Sequence, residues 1–434
     1  MANRSEERLT SLRLSGLLGI LAVGSMALSF VYQWYVITTL GAGSETDALV
    51  AAMVIPQLVL AVLSGSMTQV LVPLLSVLEG EDATNATWGF VVTIGGLFAI
   101  VSLLLIVSMH LWVPWTVPGF TTVQVELTLQ LAGIQLARML FIALTAVQVA
   151  TCQARMRFVW AETSGLISAV GALIFLAWGL PRFGIVIGAW GLFLRSFLQT
   201  LLLIPALGRP RWPNWHRVPL REAWARVRPL LVGTAYFRTD PLVDRILTSL
   251  ALPGSMTLLN LVQQLYSAGL MVFNKAIASP MVPVQAKVFA GGCLDEFKLK
   301  MKRQLWISGL LSASVWLVIA VVAKYIVPRF WIGGAVDQAT IHDFFGLIVC
   351  LSGMFLCGSI GTVTSASYYA IGDTKTPTKI GIITYTVYIP LKILAFVNFG
   401  VYGLALSISL FYLVNLVLQM RGLRFANNIC NEQA

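Results

Sequence analysis

The chain alternates long apolar stretches with short polar turns, and that rhythm predicts helices that cross a bilayer. Twelve stretches reach the length of about 20 residues that one crossing needs: roughly 12–39, 47–78, 87–112, 122–150, 159–180, 183–205, 229–250, 254–289, 303–327, 341–370, 378–398 and 399–420. The stretch 254–289 exceeds one crossing, which predicts tilt, a kink or a continuation beyond the membrane. The first stretch follows a basic N-terminus but is too long for a signal peptide and lacks a small-residue cleavage site, so it reads as a retained helix.

Composition agrees with the pattern. Hydrophobic residues make up 58% and charged residues 11% of the chain, against about a quarter charged in soluble domains. The expected class is an all-α polytopic membrane protein. The formal charge of +11 would also suit a nucleic-acid partner, and its placement decides against one. With a cytoplasmic N-terminus, the inward segments hold Arg4, Arg8, Arg13, Arg155 and Arg157, then six arginines between Arg209 and Arg228. They continue with Lys287, Lys298, Lys300, Lys302, Arg303, Lys375, Lys379, Arg421 and Arg424. Outward segments hold only Arg182, Lys324 and Arg329. The excess of inward Lys and Arg predicts a multi-pass protein with both termini facing the cytoplasm.

Metal and redox chemistry find no support in spacing. Cys152, Cys293, Cys350, Cys357 and Cys430 form no ligand motif, and His110, His216 and His342 are scattered, with no HExxH. Asn85-Ala86-Thr87 matches a glycosylation sequon but faces the cytoplasm on this topology. No catalytic residue, metal site or cofactor is expected.

The two halves of the chain resemble each other. "GSETDALVAAMVIPQLVLAVLSGSMTQVLVP" begins at Gly43 and "GSMTLLNLVQQLYSAGLMVFNKAIASPMVP" at Gly254, and both run to Val-Pro, at Pro73 and Pro283. "CQARMRF" from Cys152 and "YYAIGDTKTPTK" from Tyr368 each end a span in a basic inward turn. Each is followed by two spans split at a Phe-Gly turn, Phe183-Gly184 and Phe399-Gly400. The expected organisation is two six-helix bundles, 1–205 and 229–434, joined by a basic cytoplasmic segment at 206–228. That segment carries Trp212, Trp215 and Trp224 among its arginines, which suits a headgroup-level hinge on an anionic leaflet or a loop that only sets topology.

Six basic residues fall within spans: Arg138, Arg195, Arg238, Arg245, Lys275 and Lys392. A charge at the bilayer centre costs roughly 2.5–3.5 kcal/mol on insertion scales, so these groups must face protein or water. The densest cluster is "AYFRTDPLVDRIL", Ala235 to Leu247. On a continuous helix Arg238 and Arg245, seven apart, share one face, and Asp240 and Asp244, four apart, share another, with Pro241 loosening the backbone between them. Two readings stand: ion pairs that lock helices together, or a cavity with surplus positive charge that takes an anionic group such as a phosphate. Lys275 lies 21 residues beyond Gly254, roughly 30 Å along a continuous helix. It either snorkels to the headgroups or meets an anionic headgroup at the inner mouth.

"LVDRILTSLALPGS" (Leu242 to Ser255), Asp47 after the first outward turn, "IPQLVLAVLSGSMTQVLVP" and above all "YYAIGDTKTP" (Tyr368 to Pro377) resemble the MurJ/MviN-type flippases of the MOP transporter superfamily. The resemblance runs in order through almost the whole chain. It implies a MATE-like architecture of two bundles in a bacterial inner membrane, alternating access, and export of a polyprenyl-diphosphate-linked saccharide, the peptidoglycan precursor lipid II in the best-known members. A related exopolysaccharide or O-antigen unit stays open as cargo. The sequence departs from the family pattern in three places. "GSMALSFVYQWYV" and "PQLVLAVLSG" lack the arginines that the family carries in the first two spans. Gln264 stands where the family has arginine, and twelve apparent spans replace fourteen. These departures predict that the chain does not substitute for a lipid II flippase.

The substrate-contact expectation therefore names Arg238, Arg245, Lys275, Gln264 and Arg138. Asp47, Asp240 and Asp244 are expected in gating or ion pairing, with an N-cap of the second span as the other reading of Asp47. Gly372, Asp373, Thr374, Lys375 and Pro377 form the family-signature turn, whose residue types also suit ordinary capping. Expected partners are a lipid-linked anionic saccharide, bilayer lipids and polysaccharide or cell-wall synthesis proteins. Coupling to an ion gradient or the membrane potential is compatible with the residues. Two other functions are set beside the flippase. A cation-coupled multidrug antiporter would use Asp47 or Asp240, against the excess of intramembrane cations. A membrane-embedded polymerase or glycosyltransferase would need a carboxylate site completed from a loop.

Overall fold

The computed structural model describes residues 2–63, 67–291, 294–331 and 336–432. The side chains of Arg4, Arg8, Arg13, Arg424 and Cys430, and the whole of Cys293, lie outside the described part. The described residues are helical almost throughout and contain no strand, because backbone groups in hydrocarbon must find their partners within the segment itself. They form two compact units, Met1–Met256 and Thr257–Ala434.

The first unit contains α1 (Ala2–Leu40), α2 (Ser44–Ala52), α3 (Val54–Leu63), α4 (Met67–Ser76), α5 (Gly80–Val107) and α6 (Met109–Thr116). It continues with α7 (Thr122–Ala154), α8 (Phe158–Phe183), α9 (Ile185–Leu207), α10 (Leu220–Phe237) and α11 (Asp240–Ser249). The second unit contains most of α12 (Ser255–Phe273), then α13 (Ser279–Ala290), α14 (Leu294–Val321), α15 (Val327–Trp331), α16 (Gln338–Cys350), α17 (Ser352–Ala370) and α18 (Lys375–Glu432). The units follow packing, whereas the 6 + 6 division follows the internal repeat. Chain between 229 and 256 therefore packs with the first unit although it opens the second repeat.

Ten helical stretches among the described residues are long and apolar enough to cross a membrane. One of them, Lys375–Leu423, has 49 residues, enough for two crossings at about 1.5 Å per residue. It breaks at Gly400 (φ 60°, ψ −144°). The break at Gly184 has nearly the same backbone (φ 67°, ψ −157°), so the two Phe-Gly turns matched in sequence are matched in conformation. The expected span 229–250 is not one of the ten. It is divided at Arg238–Thr239, where Pro241 offers no N–H and its ring excludes the carbonyl of residue 237 from a helical turn. The long stretch 254–289 bends through a π-helical turn at Asn274–Ala278, just before Pro280.

In the first unit α7 is the central post. One core gathers Leu131 and Ala132 of α7 with Ala172 and Leu176 of α8, Ala189 of α9, and Tyr32 and Val36 of α1. A second gathers Leu136, Met139 and Ala143 of α7 with Phe90 and Phe98 of α5 and Leu71 of α4. The alanines let helices approach closely, which supplies the dispersion contacts that hold apolar helices together in lipid. In the second unit Tyr266 stacks on Phe355, ring centres 5.6 Å apart, and its hydroxyl donates to the Ile348 carbonyl at 2.6 Å. Large apolar side chains such as Leu104, Leu310 and Val318 are exposed, as a lipid-facing surface requires.

The basic segment after α9 is tied to the first unit rather than hanging free. Asn85 Nδ2 donates to the Asn214 carbonyl at 3.1 Å and Asn85 Oδ1 accepts the Asn214 N–H at 2.6 Å. Arg211 and Arg217 pair with Glu81 and Asp82 at 3.1 and 3.2 Å. These pairs are exposed and contribute little energy, so the buried Asn85 exchange and Val218 packed against Gly89 fix the segment. Trp212, Trp215 and Trp224 remain exposed.

Candidate functional site

The charged cluster between Arg238 and Arg245 does not sit on one continuous helix. Arg238 lies in the break between α10 and α11 and is exposed, whereas Asp244 and Arg245 are buried, 2% and 5% accessible. The face shared by Arg238 and Arg245 on an ideal helix is therefore lost, for the reason that Pro241 interrupts the ladder. Asp240 opens α11 with Pro241 in its first turn and is half-buried.

Asp47 packs against the far end of this segment. Its Oδ2 accepts the backbone N–H of Gly254 at 2.6 Å, and the carboxylate is 2% accessible. The start of α2 is served instead by Thr46, whose Oγ1 accepts the Gly43 N–H at 2.9 Å. Asp47 thus joins the turn between α1 and α2 to the turn that follows α11. Arg245 lies within electrostatic reach of both Asp244 and Asp47, two acids of the first unit. Gly254 has φ +89°, and a Cβ there would stand 2.5 Å from the Ala42 carbonyl oxygen. Conformation and close approach both require glycine at this position. Gly119 N–H donates to Ser249 Oγ at 3.4 Å, which ties the turn before α7 to the same place.

Arg138 lies elsewhere in the first unit, on the side of α7 that meets α9 and α1. Its Nε donates to Ser196 Oγ at 3.1 Å and its Nη1 to Gln135 Oε1 at 3.0 Å. Arg195 of α9 joins it there and reaches Ser29 Oγ at 2.7 Å and Ser25 Oγ at 3.3 Å on α1. The sequence singled out Arg195 as an intramembrane cation but not its partners. Their signal was present: Ser25, Ser29 and Tyr32 stand at i, i+4 and i+7 on one helix face.

In the second unit Gln264 is half-buried on α12, and Lys275 is exposed within the π-helical turn. Lys392 is fully buried with its ammonium 4.9 Å from the centre of the Tyr388 ring. The signature turn is a pair of caps. Gly372 takes φ +78° after α17. Asp373 Oδ1 accepts the N–H groups of Lys375 and Thr376 at 3.1 and 3.0 Å at the start of α18. Partial burial works to raise the Asp373 carboxyl, but the bonds from Thr376 and Lys375 and the Lys375 charge outweigh it and hold the group below the usual carboxylate range. Pro377 follows within the first turn, where its missing N–H costs no helical bond.

Among the described residues no three His, Cys, Asp or Glu side chains gather closely enough to hold a metal ion. What the polar residues offer is positive charge on several helices and a contact of Asp47 with the Gly254 N–H, with Asp244 and Arg245 in the same unit.

A family model described as lipid II flippase MurJ matches residues 36–433. Among curated proteins, a probable lipid II flippase MurJ of Vibrio cholerae is 24% identical over 425 residues, covering 92% of this chain and 80% of its own length. The Haemophilus influenzae counterpart is 24% identical over 432 residues, covering 93% and 84%. Among solved structures, a lipid II flippase MurJ in an inward closed conformation superposes with a TM-score of 0.79 at 19% identity, covering 94% of this chain and 87% of that one. An inward-facing multidrug resistance MATE transporter of the MOP superfamily shares the fold with a TM-score of 0.76 at 14% identity, covering 96% of both chains. The resemblance read from "YYAIGDTKTP" thus extends over nearly the full length, and the chain belongs to the MurJ family.

Proposed function

We propose that this protein moves a lipid-linked saccharide of the lipid II class from the inner to the outer leaflet by alternating access. The observation that carries the reading is the match to the lipid II flippase model over residues 36–433. The chemistry of the interior supports it. A diphosphate headgroup needs cationic donors, and each unit carries an exposed one, Arg238 at the helix break of the first and Lys275 in the π-helical turn of the second, where Gln264 on α12 is a neutral amide donor. Asp47, the Gly254 N–H and Arg245 act as a latch: bonded, they hold the outward turn shut, and parting of that bond accompanies outward opening. The likeness to a multidrug transporter is one of fold, and the excess of intramembrane cations disfavours an amphiphilic cation as cargo.

Replacement of the resident flippase tests the cargo. In cells depleted of their own lipid II flippase, this chain is expected to restore growth and wall synthesis. Lysis despite normal amounts of the protein in the membrane would reject lipid II and bear out the expectation drawn from the missing arginines of the first two spans. A lipid-linked exopolysaccharide or O-antigen unit would then be the cargo to try.

A further inference from the structure

Arg138 and Arg195 form a pair of cations without an acid. Their four acceptors, Ser196 Oγ, Gln135 Oε1, Ser29 Oγ and Ser25 Oγ, are all neutral. Neither arginine takes part in a salt bridge among the described residues. The two guanidinium groups lie close enough to repel each other, and the Tyr32 hydroxyl lies within reach of both. Tyr32 is itself buried and donates its proton to the Gly188 carbonyl at 2.7 Å. Each guanidinium has five N–H donors, and two on each reach the acceptors named. Through these bonds the two groups tie α7 to α9 and α9 to α1.

A helix lock is a poor account of this arrangement. Bonds from a cation to neutral acceptors can tie helices, but two desolvated like charges raise each other's energy and those bonds do not remove the repulsion. An anion between them removes it and offers acceptors to further donors. Both arginines are half-buried rather than fully enclosed. The serines take one donor of Arg138 and two of Arg195, and each guanidinium has further N–H groups beyond the bonds named. Forked donors on two separate helices fit the tetrahedral oxygens of phosphate.

We propose that Arg138 and Arg195 form an anion site of the phosphate class inside the first unit, with Ser25, Ser29, Ser196 and Gln135 as positioning residues. Free phosphate and a lipid-borne diphosphate share this chemistry. The site stands independently of the cargo reading above.

The test uses the purified full-length protein in detergent and inorganic pyrophosphate as the probe. An arginine-directed dicarbonyl reagent is applied, and modification is read residue by residue by peptide mass spectrometry. At a pyrophosphate concentration about ten times its dissociation constant, labelling of Arg138 and Arg195 is expected to slow about tenfold, as 1 + [L]/Kd requires. Arg182, which lies against the Trp178 ring, is expected to label at an unchanged rate, and gluconate of equal ionic strength is expected to protect neither site. Absence of protection at Arg138 and Arg195 overturns the proposal. In Arg195→Gln, protection of Arg138 is expected to fall away, and in Arg195→Lys to persist in part. Undiminished protection of Arg138 in Arg195→Gln rejects a shared site, and the wild-type labelling decides the matter if that variant does not insert. A second arm replaces pyrophosphate with a polyprenyl diphosphate in nanodiscs. Protection there assigns the site to the lipid headgroup, and protection by pyrophosphate alone assigns it to the free anion. Failed replacement of a lipid II flippase alongside intact pyrophosphate protection would reject the cargo and leave this site standing.

Discussion

Asp47 is bonded to a backbone N–H more than 200 positions along the chain, and the strength of that bond depends on its charge. A hydrogen bond to a charged acceptor contributes about 1.5–3 kcal/mol, and a neutral one about 0.5–1.5 kcal/mol. Asp47→Asn keeps an oxygen for the Gly254 N–H but loses the charge that faces Arg245, so it should weaken the closed outward turn by about 1 kcal/mol. Asp47→Ala leaves the buried N–H without its acceptor and should cost about 2–3 kcal/mol in all. Thiol labelling of Ser44→Cys from outside should therefore rise from wild type to Asn to Ala. Equal labelling in all three would dismiss the latch. The aspartate itself was legible in the sequence as a gating candidate. Its partner was not, because a backbone N–H has no identity in a sequence and nothing local relates residue 47 to residue 254.

At the scale of elements, the repeat is written twice in the same backbone conformation. Gly184 and Gly400 both combine positive φ with ψ near −150°, a region open essentially to glycine alone. Nothing lies within 4 Å of a Cβ built at either position, so alanine would meet only backbone strain. Gly184→Ala and Gly400→Ala are each expected to cost about 1–3 kcal/mol, read as lower midpoints of thermal unfolding in detergent. A loss at one glycine with none at the other would separate turns that the sequence pairs. Helix existence was legible throughout, since hydrophobic length speaks directly to a bilayer. Division of 229–250 into α10 and α11 was legible only as a loosening at Pro241. A proline sets where a helix is interrupted, but neighbouring elements decide which side chains the break buries.

For the whole molecule, the basic segment at 206–228 gives the sharpest check of orientation. It is tied to the acidic start of α5, which places both on one side of the membrane, and its arginines argue for the cytoplasmic side. Trp215→Cys should react with a membrane-impermeant thiol reagent in inverted vesicles and stay protected in intact cells. Reaction in intact cells would reverse the topology and remove the cytoplasmic assignment of both termini.

Against the twelve spans that the sequence predicts, ten apolar stretches stand among the described residues, without 229–250. What the sequence itself determined is therefore the class, the position and order of most helices, the Phe-Gly turns of the repeat, the orientation signal and the family. All of these rest on hydrophobic length, on the placement of Lys and Arg, or on local motifs such as the caps at Gly372 and Asp373. Tertiary structure alone decided how the intramembrane charges are used. Arg245 lies within electrostatic reach of Asp244 and Asp47, while Arg195 reaches back across 166 positions to Ser29 on α1. The reason is physical: Coulomb energy and desolvation depend on distance and burial, and neither is carried by the order of residues along a chain.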